Sequence, residues 1–153
     1  LDLRRRSLNY ETLRQHMDLV GEYALSRCKS LFLCRNKLSA MPPEVNVMKC
    51  LVIIYCTDNW LKWLPDYIKH LPFLIELRVG GNQLASIENL VPDDNPSEEQ
   101  SESNRRFHTL RVGHNRITAF PMQMKRFYLK TFIANNNNLT SLPSDFFDLA
   151  TLE

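Results

Sequence analysis

No run of 18 apolar residues occurs anywhere in the 153-residue chain, so nothing in it is long enough to span a bilayer as a helix. A basic-then-apolar leader with a cleavage site is missing as well. The four cysteines form no C-x-x-C pair, and the four histidines (His16, His70, His108, His114) are scattered, so no metal site is expected. No phosphate-binding loop, nucleophile–base pairing or paired acids at a workable spacing appears. These absences leave no catalytic residue and no cofactor to predict. Charge of one sign is lacking too. Lys and Arg number 19 against 17 Asp and Glu, a formal net charge of +2, which alone selects no partner.

What the chain does have is self-similarity. The stretch Phe107 to Pro121 places apolar residues at its first, fourth, sixth, eleventh and fourteenth positions (Phe107, Leu110, Val112, Ile117, Phe120), asparagine ninth (Asn115) and proline fifteenth. The frame recurs from Cys28 (Leu31, Leu33, Asn36, Leu38, Met41, Pro42) and from Leu51 (Ile54, Cys56, Asn59, Leu61, Leu64, Pro65). It recurs again from Leu74 (Leu77, Val79, Asn82, Leu84, Ile87), with Glu88 in the proline slot, and from Leu129 (Phe132, Ala134, Asn137, Leu139, Leu142, Pro143). First positions at 28, 51, 74, 107, 129 and 152 give steps of 23, 23, 33, 22 and 23. Leu1 and Leu3 fall on fourth and sixth positions, and Leu152 opens a further copy. The frame therefore predicts a stretch of a longer array.

This pattern resembles the leucine-rich repeat family in its form of roughly 23 residues, L-x-x-L-x-L-x-x-N-x-L with a proline after the last leucine. The resemblance covers essentially the whole chain. It implies an α/β solenoid with a parallel sheet on the concave face and short helices, 3-10 turns and loops on the convex face. The domain expected is a single one over 1–153, with a partial repeat over 1–27 and an acidic loop insertion at about 92–104. Repeats of this plain-proline form are similar to those of intracellular Ras-effector scaffolds, PH-domain leucine-rich-repeat phosphatases and fungal adenylyl cyclases. What the family implies is a mode of work, docking of other proteins, since one fold hosts many functions.

The physics of the frame explains its residue types. Positions three to eight should run as a strand, whose side chains alternate, so that four and six point into the coil. One coil is too thin to bury its own leucines, and stacking builds a continuous apolar column. The turn after the strand strands backbone groups inside, and a buried amide can satisfy both donors and acceptors there. Asn36, Asn59, Asn82, Asn115 and Asn137 are accordingly expected to form a structural ladder.

Ahead of the first full repeat, Asn9 can cap a helix, and Leu13, Met17, Val20 and Ala24 recur at helical spacing. One amphipathic helix over about Tyr10 to Leu25 is predicted on the convex side. Behind the later strands, Met41, Val45, Val47, Met48 and Ile68 are expected as core. Cys28 and Cys56 fall on apolar positions. With no cysteine-rich cap, the usage points to a reducing compartment, the cytoplasm.

The one irregularity is Pro92 to Asn104, PDDNPSEEQSESN, with five acids, no base, two prolines and three serines. That composition predicts a solvated loop, dispensable for stability. Outside it 12 acids face 19 bases, about +7. Outward strand positions carry Phe32, Arg35, Tyr55, Arg78, Arg111 and His114, flanked by Trp60 and Arg116. Bare Gly80, Gly81 and Gly113 lie beside them. Arginine mixed with large aromatics is the composition of binding hot spots. These eight side chains are the candidate partner-binding residues, for a protein carrying acidic or phosphorylated groups. Two other functions stay open: a recognition arm of a multidomain phosphatase or cyclase, and a nucleic-acid-binding surface. The latter is disfavoured by Asp58 and the acidic insert.

Overall fold

The computed structural model describes residues 1–94, 96–144 and 146. Five strands, β1 (Ser30–Phe32), β2 (Ile53–Tyr55), β3 (Glu76–Arg78), β4 (Thr109–Arg111) and β5 (Thr131–Ile133), form one parallel sheet in chain order. Each occupies positions three to five of its repeat. Residues of equal position pair, so Phe32, Tyr55, Arg78, Arg111 and Ile133 stand side by side. Asp2 extends the sheet by one bridge to Phe32.

The strands are shorter than the expected six residues because the chain twists at position eight. Arg35, Asp58 and His114 hold φ of 58°, 56° and 55°, Asn136 holds 53°, and Gly81 holds 65°. Left-handed backbone costs a side-chain-bearing residue ~1–2 kcal/mol, and its return at one frame position shows that the coil demands it. Ladder bonding nonetheless continues there. Arg35 donates its N–H to Thr57 O at 2.9 Å, Asp58 to Gly80 O at 3.0 Å, and Gly81 to Gly113 O at 3.0 Å.

Positions four and six fill the interior. Leu31, Leu33, Ile54, Cys56, Leu77, Val79, Leu110 and Val112 are all fully buried, and burial pushes the Cys56 thiol pKa up. Behind the sheet run 3-10 turns at Pro43–Val47, Asp66–His70, Glu88–Leu90 and Met124–Arg126, which bury Val45, Ile68, Leu90 and Met124. Met41 and Met48 are buried beside them, and Val47 is half-buried. Where Glu88 replaces the proline, its extra N–H is answered by the Ser86 hydroxyl at 3.0 Å.

Each frame asparagine bonds in the same way. The Asn115 Oδ1 accepts the Leu84 N–H at 2.9 Å, and its Nδ2 donates to Val79 O at 3.0 Å and Val112 O at 2.9 Å. Asn59 and Asn82 accept from Leu38 and Leu61, and Asn36 accepts from Arg6 and Leu8. Asn137 accepts from Ile117. Each amide thus ties one coil to the coil before it.

Two elements differ from the sequence expectation. The single helix over Tyr10 to Leu25 is two, α1 (Tyr10–Val20) and α2 (Glu22–Ser26). Asn9 caps α1, accepting the Thr12 N–H at 2.9 Å. Gly21, at φ 80°, breaks it while its own N–H closes the last turn on Met17 O. The kink turns Leu25 into the core and leaves Val20 and Ala24 exposed. Arg14 pairs with Glu44 at 2.9 Å, which lays α1 beside Pro43–Val47 on the convex side.

The second correction concerns the insertion, which is no loop over 92–104 but carries a helix, α3 (Glu98–Arg106). The Ser97 hydroxyl accepts the Gln100 N–H. Glu98 and Glu99 stand at the positive end of the helix, with Arg105 and Arg106 at the negative end, which complements its dipole. The two acids ahead of α3 are both partnered, Asp93 half-buried and Asp94 exposed. Lys69 reaches Asp93 at 2.7 Å, Arg126 reaches Asp94, and Gln100 donates to Asp93 at 2.9 Å. Its hydrogen bond from Lys69 holds the Asp93 carboxyl below the usual carboxylate range. Ser103 is buried and donates to Pro72 O at 3.2 Å and Glu99 O at 3.0 Å. The segment therefore packs onto Asp66–His70, behind the strands. Deletion of residues 97–103 is expected to cost ~1–2 kcal/mol rather than nothing, by loss of a cap and a buried hydrogen-bonded group. Urea unfolding of the deleted chain checks this, and an unchanged midpoint would show the contacts carry no stability. Among the described residues no helix is long and apolar enough to cross a membrane.

Candidate functional site

Parallel register turns position five into a row across the concave face. At its start Phe32 and Tyr55 pack with ring centroids 5.3 Å apart and a 56° tilt. Arg4 lies over the outer face of Phe32 at 5.3 Å. On the other side the Arg78 guanidinium sits over the Tyr55 ring at 4.2 Å, close enough for a cation–π contact. Glu76, two residues earlier in the same strand, shares that face. Its Oε1 accepts from Arg78 Nε at 2.6 Å, and its Oε2 accepts from the Tyr55 hydroxyl at 2.9 Å. Burial first, and then that bond to Glu76, push the Tyr55 phenol pKa above its ordinary value. Phe32, Tyr55, Glu76 and Arg78 thus form one closed cluster.

Beyond Arg78 the surface falls away. Positions seven and eight hold Gly80, Gly81 and Gly113, and without their side chains a hollow of about 530 Å³ opens. Arg78 and Arg111 line it, with Thr57 and Asp58 on one wall and His114 and Asn135 on another. The glycines serve their own neighbours as well as an incoming group. A β-carbon on Gly113 would stand 2.5 Å from Asn135 Oδ1, and one on Gly81 would press into the Asp58 side chain.

Of the eight predicted side chains, Phe32, Tyr55, Arg78 and Arg111 are brought into one row, and His114 joins Arg78 and Arg111 around the hollow. Arg35 stands one step removed, in an ion pair with Asp58 at 3.5 Å. Trp60, 51% exposed, and Arg116 lie beyond the asparagine turn and do not line the hollow. Glu76 and Thr57 were not anticipated. Their signal was available, since position three shares its face with position five and position seven follows on it. A second hollow, about 790 Å³, lies at the N-terminal end between Arg4, Arg5, Arg6 and Arg35. There Arg4 is closed onto Asp2, whose carboxyl is held down at about 2 by that hydrogen bond.

None of the described residues of the acidic insertion lines either hollow. Their partners Lys69 and Arg126 sit behind the strands, so the described part of the insertion does not cover Arg78 and Arg111.

No family model matches the chain. A solved leucine-rich-repeat protein of Leptospira interrogans superposes on 88% of it with a TM-score of 0.71 at 26% identity. This chain has a leucine-rich-repeat solenoid fold. A relative in Dictyostelium discoideum, "Probable inactive serine/threonine-protein kinase roco10", is 28% identical over 117 residues, 76% of the chain. The leucine-rich-repeat chain spans 4% of that relative's length and 32% of the solved neighbour's. The matches therefore speak to the repeat fold, with its parallel sheet facing the hollow and its short helices behind.

Proposed function

We propose that the chain is a protein-interaction module that grips a protein partner on its concave face. One observation carries this: an in-register row of two aromatics and two arginines that opens onto a glycine-floored hollow. Aromatic and arginine side chains on a rigid sheet lose little freedom on binding and supply most of the energy at hot spots. Residues 1–153 act as one repeat domain in this proposal, a regulatory or scaffold arm of a larger signalling protein. The Dictyostelium relative, by name an inactive kinase, supports the signalling setting. Four free cysteines, three of them partly exposed, support a cytoplasmic home.

In this reading the chain binds and does not itself catalyse, and any catalysis belongs to other parts of the protein. Nucleic acid is the weaker reading for an electrostatic reason. Phosphate tracking needs unpaired bases along a groove, whereas Arg4, Arg35 and Arg78 on this face are each closed onto an acid.

Ile133→Trp, at the end of the row, tests the face by filling the hollow without adding charge. Proteins cross-linked to the chain in cell extract, quantified by mass spectrometry, are expected to fall at least tenfold. Leu19→Arg, at an 86% exposed position on convex α1, is expected to leave them unchanged. The opposite pattern would move the interface to the helices.

A further inference from the structure

Arg78 and Arg111 hold the same frame position in adjacent strands, yet their surroundings differ. The Arg78 guanidinium is spent, with Glu76 at 2.6 Å and the Tyr55 ring at 4.2 Å. The Arg111 guanidinium makes no hydrogen bond or ion pair among the described residues, and its Nε is buried without a partner. A buried N–H left unmade is costly and is ordinarily answered by some acceptor. Position three explains the contrast. Glu76 stands there before Arg78, whereas Thr109 stands there before Arg111.

Resting on the concave-face reading, we propose that Arg111 anchors a single carboxylate, an Asp or Glu side chain of an extended partner segment inserted into the hollow between Gly81 and Gly113. The charge count favours this. Around the hollow Arg78 is cancelled by Glu76 and Asp58 by Arg35, which leaves Arg111 as the one uncompensated charge among the described residues that line it. One negative charge matches it. A phosphoryl group, carrying about −1.5 to −2 at neutral pH, would remain under-neutralised. A planar guanidinium bonds a carboxylate at two points, which a lysine cannot do. Gly80, Gly81 and Gly113 remove side chains from the approach, so the segment's backbone can come down close to the sheet.

The test uses the whole chain and fluorescein-labelled pools of nine-residue peptides, read by fluorescence anisotropy. The central residue of each pool is fixed as Glu, Gln or phosphoserine, and the other positions are degenerate but free of acids. The Glu pool is expected to bind the wild type at least tenfold tighter than the Gln pool. Arg111→Gln should erase that preference without weakening the Gln pool, and Arg111→Lys should restore part of it. Amide spectra of both variants establish that they are folded. Equal binding of Glu and Gln pools by the wild type overturns the carboxylate assignment, and so does a preference that survives in Arg111→Gln. Tenfold tighter binding of phosphoserine than of Glu assigns the site to a phosphoryl group instead. In all three cases the concave-face reading still stands if the uncharged, hollow-filling Ile133→Trp weakens every pool. Binding of no pool, or binding that Ile133→Trp leaves untouched, removes that reading and the carboxylate with it.

Discussion

Asn115→Ala is expected to lower the unfolding free energy by about 3 kcal/mol, at the top of the range for stranding buried hydrogen-bonding groups. The amide holds four backbone groups at once: the Leu84 N–H and the carbonyls of Val79, Val112 and Gly113. Alanine leaves these groups inside, in a turn where position eight is left-handed and no strand partner can replace the bonds. Val79 and Val112 belong to neighbouring coils, so the loss also weakens the tie between repeats. In a solenoid, stability is approximately a sum of repeat terms and nearest-neighbour terms. Asn137→Ala supplies the comparison. Its amide makes similar bonds but is half-buried, so water can reach the stranded groups, and about 1 kcal/mol is expected. Guanidinium unfolding of both variants decides the matter. Equal losses would mean that burial does not set the cost, and two neutral results would mean that the ladder holds little energy.

Much of this architecture is legible because the frame is metric. Constant spacing from the first leucine to the asparagine sets the sheet register without any knowledge of pairing, which is why Phe32, Tyr55, Arg78 and Arg111 could be placed in one row from spacing alone. The asparagines could be assigned because a turn inside a coil leaves backbone groups that few side chains can satisfy. The left-handed turn was missed, because positions three to eight were expected to run as a strand, although Asp58, Gly81 and Asn136 are residue types that tolerate it.

The failures come from partners distant in sequence. Four of the five acids of 92–104 are exposed, as their composition predicts, but the partners of Asp93 and Asp94 cannot be found within their own segment. Lys69 lies 24 residues before Asp93, and Arg126 reaches Asp94 from a turn after β4. Local composition carries no information about a base supplied by the next coil. The helix break was a different kind of miss. Leu13, Met17, Val20 and Ala24 keep helical spacing straight through Gly21, and periodicity outweighed the one residue able to turn the chain at φ 80°.

The same blindness makes Arg78 and Arg111 look equivalent in sequence, and reversing their charge is expected to separate them. Arg78→Glu removes the ion pair to Glu76 and the contact with the Tyr55 ring. It also sets a second carboxylate beside Glu76, whose side chain is 17% exposed. Loss of the cation–π contact, a broken half-buried ion pair and a new like-charge pair together should cost ~2–3 kcal/mol of stability. Arg111→Glu breaks no such pair, and its cost should stay within ~1 kcal/mol, because the half-buried guanidinium has no described partner to lose. Glu76→Gln in the Arg78→Glu background should recover about half the loss by relieving the carboxylate pair while keeping an acceptor for the Tyr55 hydroxyl. Urea midpoints of the four chains measure this. If Arg78→Glu and Arg111→Glu unfold together, the Tyr55–Glu76–Arg78 cluster contributes no stability. The arginines would then be equals after all, and both would be free to meet a partner.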